Sequence, residues 1–146
     1  MFPVIDFPAS WDERAEEFGY ETIEELYDYF VNILVNQTMI NELRSEFPST
    51  TIFTIPTGWS TLKLAQMYEE NLLLDAISIF GPKPTSLFTD QKGHQGQIAI
   101  ETGTLVWLQS IYNIDLTTNI YETGFNTDLH DIAKEVTDNH DPNYKQ

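Results

Sequence analysis

A long amphipathic helix is the strongest structural signal in this sequence. Apolar residues recur at steps of three and four from Ile23 to Leu43, which gives a helix one apolar face with a single polar interruption. Thr22 and Glu25 have the spacing of a capping box at its start, and Phe47-Pro48 is expected to end it. The sequence therefore predicts one long helix here.

Two short segments that flank this helix are predicted to be strands. Residues 2–7 are mostly apolar between two prolines, and residues 50–55 are β-branched and aromatic. Two strands joined by a helix form a right-handed parallel crossover, which indicates an α/β fold. Two strands alone make a poor sheet, and parallel sheets usually have helices on both faces. We therefore expect a helix-rich part of a larger α/β domain, with few parallel strands and flanking helices.

The remaining elements are mostly helical. The chain has 146 residues, which suits a single domain. Residues 81–84, with the sequence GPKP, are predicted to form a rigid loop, and residues 140–146 a frayed tail. Helices are predicted over residues 11–18, from 60 to about 74, from 97 to about 113 and from 128 to about 138.

The charge of the chain excludes several classes of partner. It has 23 acidic and 7 basic residues, for a formal net charge of −16. A phosphate backbone or an anionic membrane requires a surface rich in lysine and arginine, so neither nucleic acid nor a membrane is expected as a partner. The acids are scattered along the chain, which favours a well-solvated acidic surface.

Cysteine usage and apolar runs exclude further possibilities. The chain has no cysteine, which rules out disulfides, thiolate metal sites and a cysteine nucleophile. No apolar run approaches the roughly 20 residues of a membrane span. The residues after Met1 lack a basic segment followed by an apolar stretch, so no signal peptide is expected and the compartment stays open.

One turn carries the residues of a catalytic acid and base. The segment from Phe88 to Gly96 reads FTDQKGHQG and places Asp90 and His94 on either side of Gly93, just before a predicted helix. In triad chemistry a histidine takes the proton of the nucleophile, and a carboxylate fixes the tautomer of the imidazole. The alternative is that both side chains are ordinary solvated loop residues.

The region around this turn resembles the last block of the SGNH (GDSL-like) hydrolases. The resemblance rests on LFTDQKGHQGQIAIETGTLVWLQSIYNIDL at residues 87–116, preceded by a strand-and-helix unit at residues 52–70. It covers about residues 2–116 and leaves 117–146 as a C-terminal extension. It implies a partial flavodoxin-like, three-layer fold and hydrolysis of a small-molecule ester or acylated substrate, with His94 as general base and Asp90 as orienting acid. It implies no metal and no organic cofactor.

This chain departs from the family pattern at two places. The family acid lies three residues before the histidine, where this chain has Gln91, and Asp90 lies one residue earlier. The Gly-Asp-Ser-type turn that carries the family nucleophile is absent from residues 1–10. Ser60 lacks the glycine of a nucleophile elbow and is interpreted as a helix cap. The chain is therefore expected to be a fragment with little or no hydrolytic activity on its own.

Three other interpretations remain open. The first is an acidic, non-catalytic interaction module that retains the fold. The second is self-association through an exposed strand edge at residues 2–6 or 50–55. The third is a divalent-metal site in a C-terminal cluster of acidic and imidazole side chains, for which an acidic solvated tail is the alternative. That cluster comprises Asp128, His130, Asp131, Asp138, His140 and Asp141.

The aromatic side chains also allow two interpretations. Several of them could line a ligand cleft, and core or half-buried packing is the alternative. These residues are Trp11, Trp59, Tyr68, Trp107 and Tyr112.

Overall fold

A computed structural model describes residues 10–146, and these residues form two compact units. The first contains the described residues up to Thr54, together with Gln91–Gly93 and Gln146, and the second contains Ile55–Asp90 and His94–Lys145. The strand predicted at residues 2–7 lies outside the described residues. Between Ser10 and Gln146 no helix is both long and apolar enough to cross a membrane.

The first unit is built from helices. Helix α1 spans Trp11–Glu17 and is followed by α2 (Ile23–Asp28), a π-helical stretch (Tyr29–Ile40) and α3 (Asn41–Glu46). The last three are consecutive along the chain and confirm the predicted long helix. As the capping spacing predicts, Thr22 Oγ1 accepts a hydrogen bond from the Glu25 backbone N–H at 3.2 Å. Ile23, Leu26, Tyr27 and Ile40 are buried on its apolar face.

The prediction of a strand at residues 50–55 is wrong. This segment has no regular secondary structure. Its polar groups pair with helix side chains instead of a neighbouring strand: Arg44 Nε donates to the Ile52 carbonyl at 2.9 Å, and Thr54 Oγ1 donates to Asn36 Oδ1 at 3.1 Å. The predicted crossover therefore loses its second strand, and residues 50–55 offer no strand edge for self-association.

Both described strands lie in the second unit. Strands β1 (Ser78–Phe80) and β2 (Ser86–Phe88) pair in parallel, with Ser78 opposite Ser86 and Phe80 opposite Phe88. A 3₁₀ turn at Lys83–Thr85 lies between them, in the stretch where the sequence predicts a rigid loop. The described chain is thus a helix-rich, mixed α/β structure with two short parallel strands.

Three helices pack against one another and, together with this strand pair, form the core of the second unit. Helix α4 spans Thr57–Glu69, which begins three and ends five residues before the predicted range, whereas α5 (Gln97–Tyr112) and α6 (Leu129–Asn139) lie close to their predicted ranges. Helix α5 contacts α4, α6 and β2. The tail forms a 3₁₀ turn at Pro142–Tyr144, in which Tyr144 is buried. The largest fully buried side chains of this core are Leu64, Leu87, Phe88, Ile98, Leu105 and Leu129.

Candidate functional site

The predicted acid–histidine turn joins β2 to α5. The Thr89 N–H donates to the His94 carbonyl and the Gly96 N–H donates to the Leu87 carbonyl, each at 2.7 Å. Gly93 has φ +78°, a left-handed conformation that glycine adopts without the steric cost of a side chain. These two hydrogen bonds connect the end of β2 to the residues just before α5, so they join the two ends of the turn.

The turn brings the predicted acid and base into contact. His94 Nδ1 lies 2.6 Å from Asp90 Oδ2, and the His94 backbone N–H makes a longer contact of 3.5 Å with Asp90 Oδ1. An ionised carboxylate only accepts hydrogen bonds, so we assign the imidazole proton to Nδ1 in the neutral ring. This assignment leaves the lone pair on Nε2. The spacing of four residues therefore lets Asp90 reach His94 despite the extra residue relative to the family pattern.

Both side chains lie at the surface. The His94 side chain is 63% exposed and the Asp90 side chain 45% exposed. A pair as exposed as this adds little to folding stability, because water screens the attraction and the side chains lose conformational freedom. The contact therefore matters mainly for the orientation and tautomer of the imidazole.

Three serines of the second unit hold structural hydrogen bonds. Ser60 is fully buried and donates to the Thr57 carbonyl at 2.7 Å. The interpretation of Ser60 as the helix N-cap is wrong, since α4 already begins at Thr57 and Ser60 lies inside its first turn. Ser78 Oγ donates to the Phe80 carbonyl at 2.9 Å, and Ser86 Oγ donates to the Gly81 carbonyl at 3.0 Å. These hydroxyl groups stabilise loops and helix ends.

Two carboxylates of the C-terminal cluster cap helices. Asp128 Oδ1 accepts a hydrogen bond from the Asp131 N–H at 3.0 Å at the start of α6. Asp141 Oδ1 accepts one from the Asn143 N–H at 2.9 Å at the start of the final 3₁₀ turn. Capping satisfies backbone donors that have no partner within the helix. These residues therefore already have a structural role.

Three of the remaining members, His130, Asp138 and His140, are also paired or buried, and Asp131 is exposed. His130 Nε2 lies 3.2 Å from Asn119 Oδ1, Asp138 accepts from Lys134, and His140 is 7% exposed. Within residues 10–146, no three His, Asp or Glu side chains are arranged so that they could hold a metal ion.

The five aromatic residues proposed for a cleft are not in the core. Trp11, Trp59 and Tyr68 are half-buried. Trp107 is 51% exposed and Tyr112 is 70% exposed, both on α5. Trp11, Trp59 and Tyr68 thus show the half-buried packing that the sequence allows as the alternative to a cleft, and Trp107 and Tyr112 are exposed.

Sequence reasoning missed one contact that holds the turn. Gln95 Nε2 donates to Thr61 Oγ1 of α4 at 3.0 Å. Gln95 also bridges to Phe88 as an antiparallel partner. Neither residue type signals chemistry on its own, and the two lie 34 positions apart, so no local pattern could have indicated the contact.

Comparison with protein-family models, curated proteins and solved structures finds no match to this chain. We therefore infer the function of the chain from its own geometry. The best-defined chemical feature of the described residues is the Asp90–His94 turn.

Proposed function

We propose that this chain carries the acid–base pair of an SGNH-like hydrolase that acts on a small-molecule ester or acylated substrate. The observation that supports the proposal is the 2.6 Å contact between Asp90 Oδ2 and His94 Nδ1, on a turn directly before α5. In this proposal His94 is the general base and Asp90 is the orienting acid. The parallel pair β1–β2, with α5 contacting β2, is compatible with the C-terminal half of a flavodoxin-like, three-layer fold.

The chemistry assigned to the pair is proton transfer. His94 Nε2 takes the proton of an attacking hydroxyl group or water, and later returns it to the leaving alkoxide. Asp90 remains ionised, keeps the proton on Nδ1 and stabilises the imidazolium. Efficient acyl transfer also needs an activated nucleophile and donors for the oxyanion. Because the serines described above are committed to structural bonds, we expect weak hydrolysis by this chain alone.

The first prediction concerns hydrolysis of p-nitrophenyl acetate by purified residues 1–146. We expect p-nitrophenol to be released slowly, at a rate that rises linearly with substrate concentration. The rate does not saturate because, without a positioned nucleophile, bound substrate reacts hardly faster than free substrate. His94→Ala should reduce this release to the rate in buffer, because the base is lost. His130→Ala is the matched control and should keep the wild-type rate, since that imidazole pairs with Asn119.

The possible results separate the parts of this proposal. Equal rates for the wild type and His94→Ala would show that His94 is not a base. Fast, saturable hydrolysis that disappears in His94→Ala would confirm the base and show that the chain also supplies a nucleophile. A fluorophosphonate reagent, which labels activated serines, would then identify that nucleophile.

An acidic interaction module without catalysis is the second candidate function. The exposure of His94, at 63%, favours it, because catalytic groups usually lie in clefts that exclude water. The formal charge of −16 also suits a partner with a basic surface. Under this alternative, the wild type and His94→Ala would hydrolyse the ester at the same rate.

A further inference from the structure

We infer that Thr61 and Gln95 are positioning residues that fix the acid–histidine turn to helix α4. This inference rests on the proposed function, since it concerns how the Asp90–His94 pair keeps its geometry. The carrying observation is the hydrogen bond from Gln95 Nε2 to Thr61 Oγ1, at 3.0 Å. It connects the residue that follows the proposed base to a helix of the core.

The Thr61 end of this bond is rigid. Thr61 is 0% exposed, and its neighbours Leu62, Leu64 and Ala65 on α4 are also buried. Close-packed interiors hold side chains in fixed positions. The acceptor oxygen is therefore a fixed point of the second unit.

The His94 end needs such a fixed point. The imidazole is 63% exposed, so packing does little to hold it. Its backbone is held by the bond from the Thr89 N–H to the His94 carbonyl, at 2.7 Å, and by the anchored residue that follows. Without the Gln95–Thr61 bond, we expect the turn to move relative to α4 and the 2.6 Å contact between Asp90 and His94 to be formed for a smaller fraction of the time.

The test compares threonine variants that differ in one hydroxyl group. Thr61→Val removes the acceptor, and Thr61→Ser restores it. Thr102→Val is the matched control: Thr102 is also 0% exposed in the same unit, but its hydroxyl donates to the Ile98 carbonyl and not to the turn. Gln95→Met removes the donor at the other end of this hydrogen bond, and it replaces Thr61→Val in the test if that variant does not fold.

Two readouts are measured for each variant. Long-range ¹H–¹⁵N NMR of neutral His94 reports which ring nitrogen carries the proton. The His94-dependent rate of p-nitrophenyl acetate hydrolysis reports the base. We expect Thr61→Val and Gln95→Met to lower the population with the proton on Nδ1 and to reduce the rate by roughly 3- to 10-fold, since small displacements of a catalytic group are costly. Thr61→Ser and Thr102→Val should keep the wild-type values.

A purely structural role would give a different pattern. Thr61→Val would then lower the melting temperature as Thr102→Val does, with the tautomer and the rate unchanged, and the positioning role would be overturned. A wild-type protein without the Nδ1 proton would overturn the proposed function itself, and the positioning role with it. The wild-type spectrum therefore distinguishes the two failures.

Discussion

Gly96→Ala is expected to lower the free energy of unfolding by about 3 kcal/mol, at the upper end of what overpacking costs. A Cβ at this position would lie 1.8 Å from the Ser86 carbonyl oxygen, far inside van der Waals contact. The backbone of Gly96, at φ −73°, suits any residue, so the penalty is entirely steric. Ser86 cannot move away easily, because it pairs with Ser78 in the strand register.

Urea unfolding followed by circular dichroism measures this loss. Gly124→Ala is the control: a methyl group added to Gly124 would meet no atom within 4 Å, but the residue has φ +80°. Left-handed backbone costs a non-glycine residue about 1 kcal/mol. Gly96→Ala should therefore be clearly the more destabilised of the two. A loss no greater than that of Gly124→Ala would contradict the close approach of Gly96 to β2.

Asp75→Ala is expected to cost about 2 kcal/mol at neutral pH, because it removes a carboxylate that accepts several hydrogen bonds. Asp75 Oδ1 accepts from the backbone N–H and side-chain Nδ2 of Asn126, each at 3.0 Å. Asp75 Oδ2 accepts from the backbone N–H of Thr127 at 2.9 Å and its hydroxyl at 2.7 Å. Together these bonds hold the segment before α6 against the segment before β1.

The same contacts make this contribution dependent on pH. Burial by itself would raise the pKa of Asp75, but the hydrogen bonds from Asn126 and Thr127 outweigh it and hold the pKa below the ordinary value of 3.8. A carboxyl whose pKa is lower in the folded state stabilises the fold above its unfolded pKa. That stability is lost as the pH falls through the folded pKa.

Unfolding free energies of the wild type and Asp75→Asn at pH 7 and near pH 3 test this prediction. The difference in unfolding free energy between the two proteins should be largest at pH 7 and should shrink on acidification. A protonated Asp75 is uncharged, as is the asparagine of the variant. Glu122→Gln, at an exposed acid of the same unit, is the control for general charge effects. A difference that stays constant between the two pH values would contradict the role assigned to the Asp75 carboxylate.

The helices could be predicted from the sequence because their signals are local. The apolar period from Ile23 and the bond from the Glu25 N–H to Thr22 both lie within one helix. Likewise, Asp128 caps α6 from the adjacent position. Strands depend on pairing with distant residues, so residues 50–55 have the composition of a strand but do not form one. The paired strands β1 and β2 are only three residues long and carry almost no pattern.

The candidate site also combines a local contact with a long-range one. Asp90 and His94 lie four positions apart in one turn, so a local sequence pattern was enough to suggest their contact. The anchor from Gln95 to Thr61 spans 34 positions and depends on how α4 packs beside the turn. A contact within the turn could therefore be suggested from the sequence, and the long-range contact that holds the turn could not.

The tautomer of His94 tests most directly whether Asp90 and His94 form the acid–base pair of a hydrolase. Long-range ¹H–¹⁵N NMR of the neutral imidazole should place the proton on Nδ1, 2.6 Å from Asp90 Oδ2, with the lone pair on Nε2. In Asp90→Asn the side-chain amide can donate to Nδ1, so the proton should move to Nε2, as happens when a triad aspartate is replaced. A wild-type proton that already lies on Nε2, with no change in Asp90→Asn, would contradict the pair.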